Sequence, residues 1–193
     1  MKTSCCALLL LLAAAPLCAP ATGPVDHTKR APVIGLHVYR VDDHIYRGRQ
    51  PSKQEYPELA HAGIKTVLDL RGGPIHKPHE RKLAEAVGMN YISIRLSGIF
   101  EPHDQQIASI LAVMDDPSRW PVFIHCRRGD DRLGMVIACY RMTHYHWTNQ
   151  QAFQEAIHLG LNPLEVLMRS YIRHFDPAKV HSMEETLAAT TSN

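Results

Sequence analysis

The sequence predicts an α/β fold, a mainly parallel central sheet flanked by helices, and three observations lead there. Stretches with strand patterning alternate with stretches of helical periodicity along most of the chain, which is the signature of βαβ units. IKTVLDL and PVFIHC are almost unbroken apolar runs, as expected of strands covered on both faces. LGMVIACYRM is apolar on every side and so reads as a helix enclosed by its neighbours.

The chain opens with MKTSCCALLLLLAAAPLCAPATG. A lysine near the start, a short apolar run and small residues before Thr22 read as a secretory signal peptide over residues 1–21, because the run is too short to cross a bilayer. Cleavage is expected after Ala21, and the protein is expected to be secreted or periplasmic. Pro16-Leu17 before Cys18 is a poor lipoprotein signal, so a lipid anchor at Cys18 is not the leading expectation. Residues 22–34 read as a flexible lead-in.

From Gly35, LHVYRV and HIYRG alternate as two short strands around Asp42-Asp43. Ser52 precedes a helix over residues 53–62, closed by Gly63. IKTVLDL follows, then the loop RGGPIHKP, a helix over 79–87 ended by Gly88, and the strand MNYISIRL. The loop SGIFEPHD leads into a helix over 104–114. PVFIHC is the last strand, LGMVIACYRM the central helix, and helices over 149–159 and 163–175 complete a domain spanning 35–176. Residues 177–193 read as a C-terminal tail.

Acidic and basic residues are interspersed and the formal net charge is +2, so no nucleic-acid partner is expected, and no second apolar stretch suggests a stable membrane span. Cys5, Cys6 and Cys18 lie in the leader, leaving Cys126 and Cys139. A helix starting near Arg132 puts Cys139 roughly 10 Å up its axis, beyond disulfide reach, so Cys139 reads as a buried apolar residue and Cys126 as a free thiol.

Ligands of such sheets bind at the carboxyl ends of the strands, where HCRRGDDRLG lies. The turn after PVFIHC offers converging backbone N–H groups and the positive end of a helix, which together attract an anion. Gly129 lets the loop curl, and Arg132 can present a planar fork to two oxygens of a tetrahedral oxyanion. The same field favours the thiolate of Cys126. A bound phosphate would then sit above a nucleophile.

His125-Cys126-x5-Arg132 resembles the signature of cysteine-dependent protein tyrosine and dual-specificity phosphatases. With VYRVDDHIYRGRQPS, GIKTVLDLR and VLMRSYIRHF, the likeness to the bacterial, plant and fungal atypical dual-specificity group covers about residues 35–175. It implies the dual-specificity-phosphatase-like fold and a phosphocysteine mechanism in which Cys126 attacks phosphorus. Arg132 and the amides of residues 127–132 hold the oxyanion, and His125 orients the loop. Two positions depart from the family. Leu133 replaces the usual hydroxyl residue, which removes a hydrogen bond worth about 1.5–3 kcal/mol to a charged group. No aspartate stands about thirty residues before Cys126, so Asp104, with Glu101 behind it, and Asp131 compete as general acid. Alternative roles are a helix cap for Asp104 and complementing the helix dipole for Asp130 and Asp131.

Arg127, Arg128, Gly129 and Asp130 are candidate substrate contacts, and Arg71, His76, Lys77 and His79 a candidate far wall. Asp130 stands where inositol- and lipid-directed relatives often carry lysine. No metal site is expected from histidine spacing, and no cofactor. The leading expectation is a phosphomonoester hydrolase acting on phosphorylated protein or a small phosphoester. Inositol phosphates or phosphoinositides as substrates, a phosphate-binding module without turnover, and sulfur transfer are the alternatives.

Overall fold

The computed structural model describes residues 37–73 and 77–191. The leader and cleavage point near Ala21, Cys18, the lead-in over 22–34, the start of the domain and His76 lie outside the described residues.

Among the described residues, five strands form one sheet in the order β1-β2-β5-β3-β4: β1 (Val38–Arg40), β2 (Ile45–Gly48), β3 (Thr66–Asp69), β4 (Asn90–Ser93) and β5 (Val122–His125). Only β1 with β2 is antiparallel; β2–β5, β5–β3 and β3–β4 are parallel. The predicted α/β fold with a mainly parallel sheet is therefore the observed one. Asp42 tightens the β1–β2 turn, its Oδ1 accepting the N–H groups of His44 and Ile45 at 2.8 Å, a turn use typical of aspartate.

Side-chain alternation along the strands sorts the core into two layers. Val67 and Phe123 point to one face, where they pack with Tyr56 and Leu59 of α1 (Glu55–His61) and Ala84 of α2 (Lys77–Glu85). Leu68, Val122 and Ile124 point to the other, against α3 (Asp104–Asp115) and α4 (Asp131–Tyr145), with α5 (Asn149–His158) and α6 (Val166–His174) outside them. Every residue of α4 from Leu133 to Met142 is buried, as its all-round apolar sequence requires. Cys139 is fully buried and, like Cys126, a free cysteine; burial pushes its thiol well above the ordinary range.

Element ends differ from expectation where side chains decide them. α1 starts at Glu55, whose carboxylate folds back to accept the Ser52 N–H and both arms of Arg49. α2 starts two residues before the predicted position. The segment expected to be a tail is a helix, α7 (Pro177–Thr191). Asp176 caps it, accepting the N–H groups of Ala178 and Lys179 at 3.0 and 3.2 Å, and Pro177 occupies a first-turn position that suits proline. Val180 is buried in the core, which ties α7 to the domain. No helix among the described residues is long and apolar enough to cross a membrane.

Candidate active site

Strand parity begins the site. His125 follows Ile124 on β5, so its ring turns to the α1–α2 face and stacks on Phe123 with ring centroids 5.7 Å apart. There it meets a buried polar cluster. Arg71, just past β3, donates to both oxygens of Asp69 at 2.9 and 3.1 Å and also to Glu80 of α2. Tyr91 donates to Asp69 at 2.8 Å and Tyr56 to Glu80 at 2.6 Å. Burial alone would raise the Asp69 carboxyl, but hydrogen bonds from Arg71 and the nearby His125 ring hold it below the usual range.

His125 itself is completely buried, and desolvation takes its pKa down to about 4, ahead of the opposing pull of Asp69. Its Nδ1 lies 3.2 Å from the Cys126 carbonyl oxygen, which fits Nδ1–H as donor in a neutral ring. Nε2 comes within 2.9 Å of Glu80 Oε1 but is not aligned for a hydrogen bond. Asp69, Glu80 and His125 bring donor atoms within 4.8 Å of one another. The Arg71 guanidinium already supplies the positive charge among them, so this cluster does not suit a metal ion.

Cys126 follows β5 and is 3 % exposed. The loop from Arg127 to Asp130 curls over it, and the Gly129 N–H points at Cys126 Sγ at 3.3 Å. Gly129 adopts φ +92°. A Cβ there would lie 2.9 Å from Arg49 N and 2.9 Å from Gly48 C, so this loop rests on the backbone after β2. Two bonds hold it in place: Arg47 Nη2 donates to the Gly129 carbonyl at 2.7 Å, and Gln50 N–H donates to the Arg127 carbonyl at 3.3 Å. Arg47 is buried, and burial lowers its pKa against the opposing pull of Glu155 and Cys126. Spacing within HCRRGDDRLG gives no hint of this clamp; the signal was an arginine inside a strand otherwise destined for burial.

Asp131 opens α4. Its Oδ2 accepts from Arg128 at 2.6 Å and its Oδ1 from the Asn162 N–H at 3.0 Å, so both oxygens have protein donors. Asp130 precedes the helix, and its carboxyl is raised by burial and by the neighbouring Asp131 charge. Arg127 and Arg128 are exposed, as expected of side chains on a loop whose amides face inward. Leu133 is fully buried in the core beside α4's other apolar residues.

Arg132 lines a cleft of about 350 Å³ with Arg71, Arg95, Leu96 and Gln106, and exposed Ile99 and Phe100 stand at its rim. Gln106 Nε2 donates to the Arg95 carbonyl at 2.9 Å, fixing the loop after β4 to α3. Of the expected far wall, Arg71 alone among the described residues lines this cleft. Lys77 and His79 are exposed on α2, and His79 lines a separate hollow with Gln50 and Tyr56.

Asp104, one of the two expected acids, is held by residues of other helices. Its Oδ1 accepts from Tyr171 at 2.7 Å and its Oδ2 pairs with Lys179 of α7 at 2.6 Å. Lys179, then Tyr171, hold the carboxyl below its ordinary range. That is the wrong direction for a proton donor at neutral pH; these contacts make Asp104 a link between α3, α6 and α7. Glu101 is exposed on the preceding loop.

The chain is 27% identical over 126 residues to the dual specificity protein phosphatase TpbA of Pseudomonas aeruginosa, 65% of this chain and 55% of the relative. It is 29% identical over 124 residues to the inositol diphosphatase DSP1 of Oryza sativa subsp. japonica, 62% of this chain and 55% of the relative. The chain thus spans about half the length of the curated relatives it matches. Among solved structures, the core catalytic domain of the PP-IP phosphatase SIW14 from S. cerevisiae superposes with a TM-score of 0.68 at 21% identity, covering 79% of this chain and 93% of that one. P. aeruginosa TpbA in complex with pTyr gives 0.65 at 23% identity, covering 79% and 91%; both show the fold. A family model described as "DSP-PTPase phosphatase fused to NAD+ Kinase" matches residues 35–165, from before β1 through α5, and the chain belongs to this family of DSP-PTPase phosphatase domains.

Proposed function

We propose that this protein hydrolyses phosphomonoesters with Cys126 as nucleophile, acting on phosphotyrosine-like or other dual-specificity substrates. The observation that carries the reading is the Gly129 N–H directed at Cys126 Sγ within a loop that ends at the N-terminus of α4. Amides and helix end that stabilise a thiolate also stabilise the equatorial oxygens of a transferring phosphoryl group. In the first step the sulfur forms a bond to phosphorus as the bond to the leaving oxygen breaks. Water then attacks the phosphocysteine, releasing inorganic phosphate and restoring the thiolate. Arg132 forks onto two phosphoryl oxygens. His125, Arg47 and the Asp69–Arg71–Glu80 cluster act as positioning residues for the loop.

Proton donation is the weak part of this machinery. Asp104 is committed to Lys179 and Tyr171, and Asp131 accepts from two donors. Asp131 directly precedes Arg132 in the chain, and we assign it the donor's role, for which its contacts to Arg128 and Asn162 have to open. An acid so engaged favours leaving groups that need little help. A phenol, with pKa about 10, is a far better one than an aliphatic alcohol, and this supports aryl phosphates over phosphoserine and phosphothreonine.

A second reading, phosphoanhydride cleavage on an inositol diphosphate, draws on Arg71, Arg95 and Arg132 lining one cleft and on the names of several relatives. Charge pairing counts against it, because Arg71 is neutralised by Asp69 and Glu80, and Arg128 by Asp131. An export leader ending at Ala21 belongs to the same proposal and is checked by N-terminal sequencing of protein recovered from outside the cytoplasm.

The test is turnover of para-nitrophenyl phosphate by the purified protein and by Cys126→Ser, beside a phosphotyrosine peptide, a phosphoserine peptide and an inositol diphosphate. Turnover of the aryl substrates that vanishes in Cys126→Ser is expected. Absence of turnover with retained vanadate binding would make the domain a phosphate-binding module, and preferential cleavage of the inositol diphosphate would select the second reading.

A further inference from the structure

Away from the phosphate loop, α3, α4 and α7 meet around a second group of ionisable side chains. Asp115 ends α3, His144 lies in the last turn of α4, and Glu184 sits midway along α7. One potential ligand atom from each lies within 4.8 Å of the others. His144 Nε2 is 2.9 Å from Asp115 Oδ2, and His181, one turn before Glu184, places Nδ1 3.5 Å from Glu184 Oε2.

Two further observations separate this group from an ordinary surface ion pair. Glu184 is only 6 % exposed, yet its Oε2 receives no hydrogen bond, and His144 Nε2 is likewise buried without an aligned partner. Buried polar atoms are normally satisfied. Among the described residues, no lysine or arginine pairs with either carboxyl, in contrast to Asp69 and Glu80, which share Arg71. Two carboxyls and one imidazole thus converge with no fixed cation between them.

The spacing fits a particular ligand. Tetrahedral zinc with bonds near 2.0 Å has ligand atoms about 3.3 Å apart; the His144–Asp115 separation of 2.9 Å lies close to that value, and all three ligand atoms fall within 4.8 Å of one another. Imidazole nitrogen and carboxylate oxygen are both ordinary zinc donors. We propose that Asp115, His144 and Glu184 form a three-ligand Zn²⁺ site, its fourth position open to water, that fastens α7 to α3 and α4. The ligands come from three helices distant in sequence, so no local histidine spacing announces them. The proposal is independent of the chemistry at Cys126.

The test uses the full chain carrying Cys126→Ser, so that the loop thiol cannot hold the metal. Calorimetric titration with zinc chloride is expected to show one saturable site, and Co²⁺ in its place to give the visible absorption of a tetrahedral centre. Glu184→Gln and His144→Asn should each weaken binding at least tenfold, with circular dichroism reporting that the helices persist. His181→Ala, a change at an exposed neighbouring position outside the ligand group, should leave the affinity unchanged and serves as the matched control. Zinc should also raise Tm in the parent and lose that effect in Glu184→Gln. No saturable site in the parent, or affinity unchanged in both Glu184→Gln and His144→Asn, overturns the proposal.

Discussion

Replacing Gly129 by alanine isolates what holds the phosphate loop over Cys126. The new Cβ meets Arg49 N at 2.9 Å, Gly48 C at 2.9 Å and Gly48 O at 3.0 Å, all backbone atoms that no rotamer change can move. Comfortable contacts begin near 3.5 Å, so the loop must lift by roughly half an ångström. Left-handed backbone costs an alanine about 1–2 kcal/mol, and the overpacking adds about 1–3 kcal/mol, giving about 2–5 kcal/mol in all. Lifting the loop also stretches the Gly129 N–H···Sγ contact and the Arg47 bond to the Gly129 carbonyl. Displacements approaching 1 Å in an active site cost up to about a hundredfold, so kcat/KM for para-nitrophenyl phosphate should fall by roughly ten- to a hundredfold. Gly63→Ala is the matched control: φ is +89° and a Cβ there meets nothing within 4 Å. It should lose only the conformational part and keep full kcat/KM. Urea unfolding and steady-state kinetics on both variants measure the two quantities. If Gly129→Ala turns over like the unsubstituted protein, or if Gly63→Ala loses as much activity, the loop does not depend on its seat against β2.

Arg71→Met leaves Asp69 and Glu80 buried without their shared cation, and removing one partner of a buried pair costs about 3–5 kcal/mol; urea unfolding should register a loss of that size. His125 has a folded pKa of about 4 against 6.5 for the free side chain. The unfolded chain therefore binds the extra proton first as pH falls, and stability present above 6.5 is lost between 6.5 and 4. That loss amounts to roughly 3 kcal/mol, and it should be absent from His125→Gln when both are unfolded in urea across this range. Asp104→Asn should lower Tm through its broken Lys179 contact while leaving the pH–rate profile intact, whereas Asp131→Asn should flatten the basic limb; the opposite pattern would return the donor's role to Asp104. Leu133→Ala, emptying a fully buried core position, should cost about 2–5 kcal/mol, measured by thermal or urea unfolding.

Local pattern reached far in this chain. Apolar runs located β3 and β5, all-round apolarity located α4, and the glycines after α1 and α2 marked where those helices stop. HCRRGDDRLG placed Cys126, the curled loop after it and the start of α4 together because they are contiguous, so no long-range packing was needed to bring them into register. α7 escaped the sequence reading, which left residues 177–193 as a tail, although Asp176-Pro177 is a helix cap followed by a first-turn proline.

Other features were decided only by the fold. That Arg47 would clamp Gly129 depends on β2 lying parallel beside β5, a pairing between segments far apart in the chain. That Arg71 would serve Asp69 and Glu80 more than an incoming phosphate depends on α2 covering the face to which β5 turns His125. Asp104 looked like a loop acid until α6 and α7 brought Tyr171 and Lys179 to it. A sequence fixes which groups are contiguous, and hence the chemistry a single turn can carry. Charge pairing among distant groups is set by which strands and helices come to lie side by side, and here that pairing determined which carboxyls and guanidiniums remain available to a substrate.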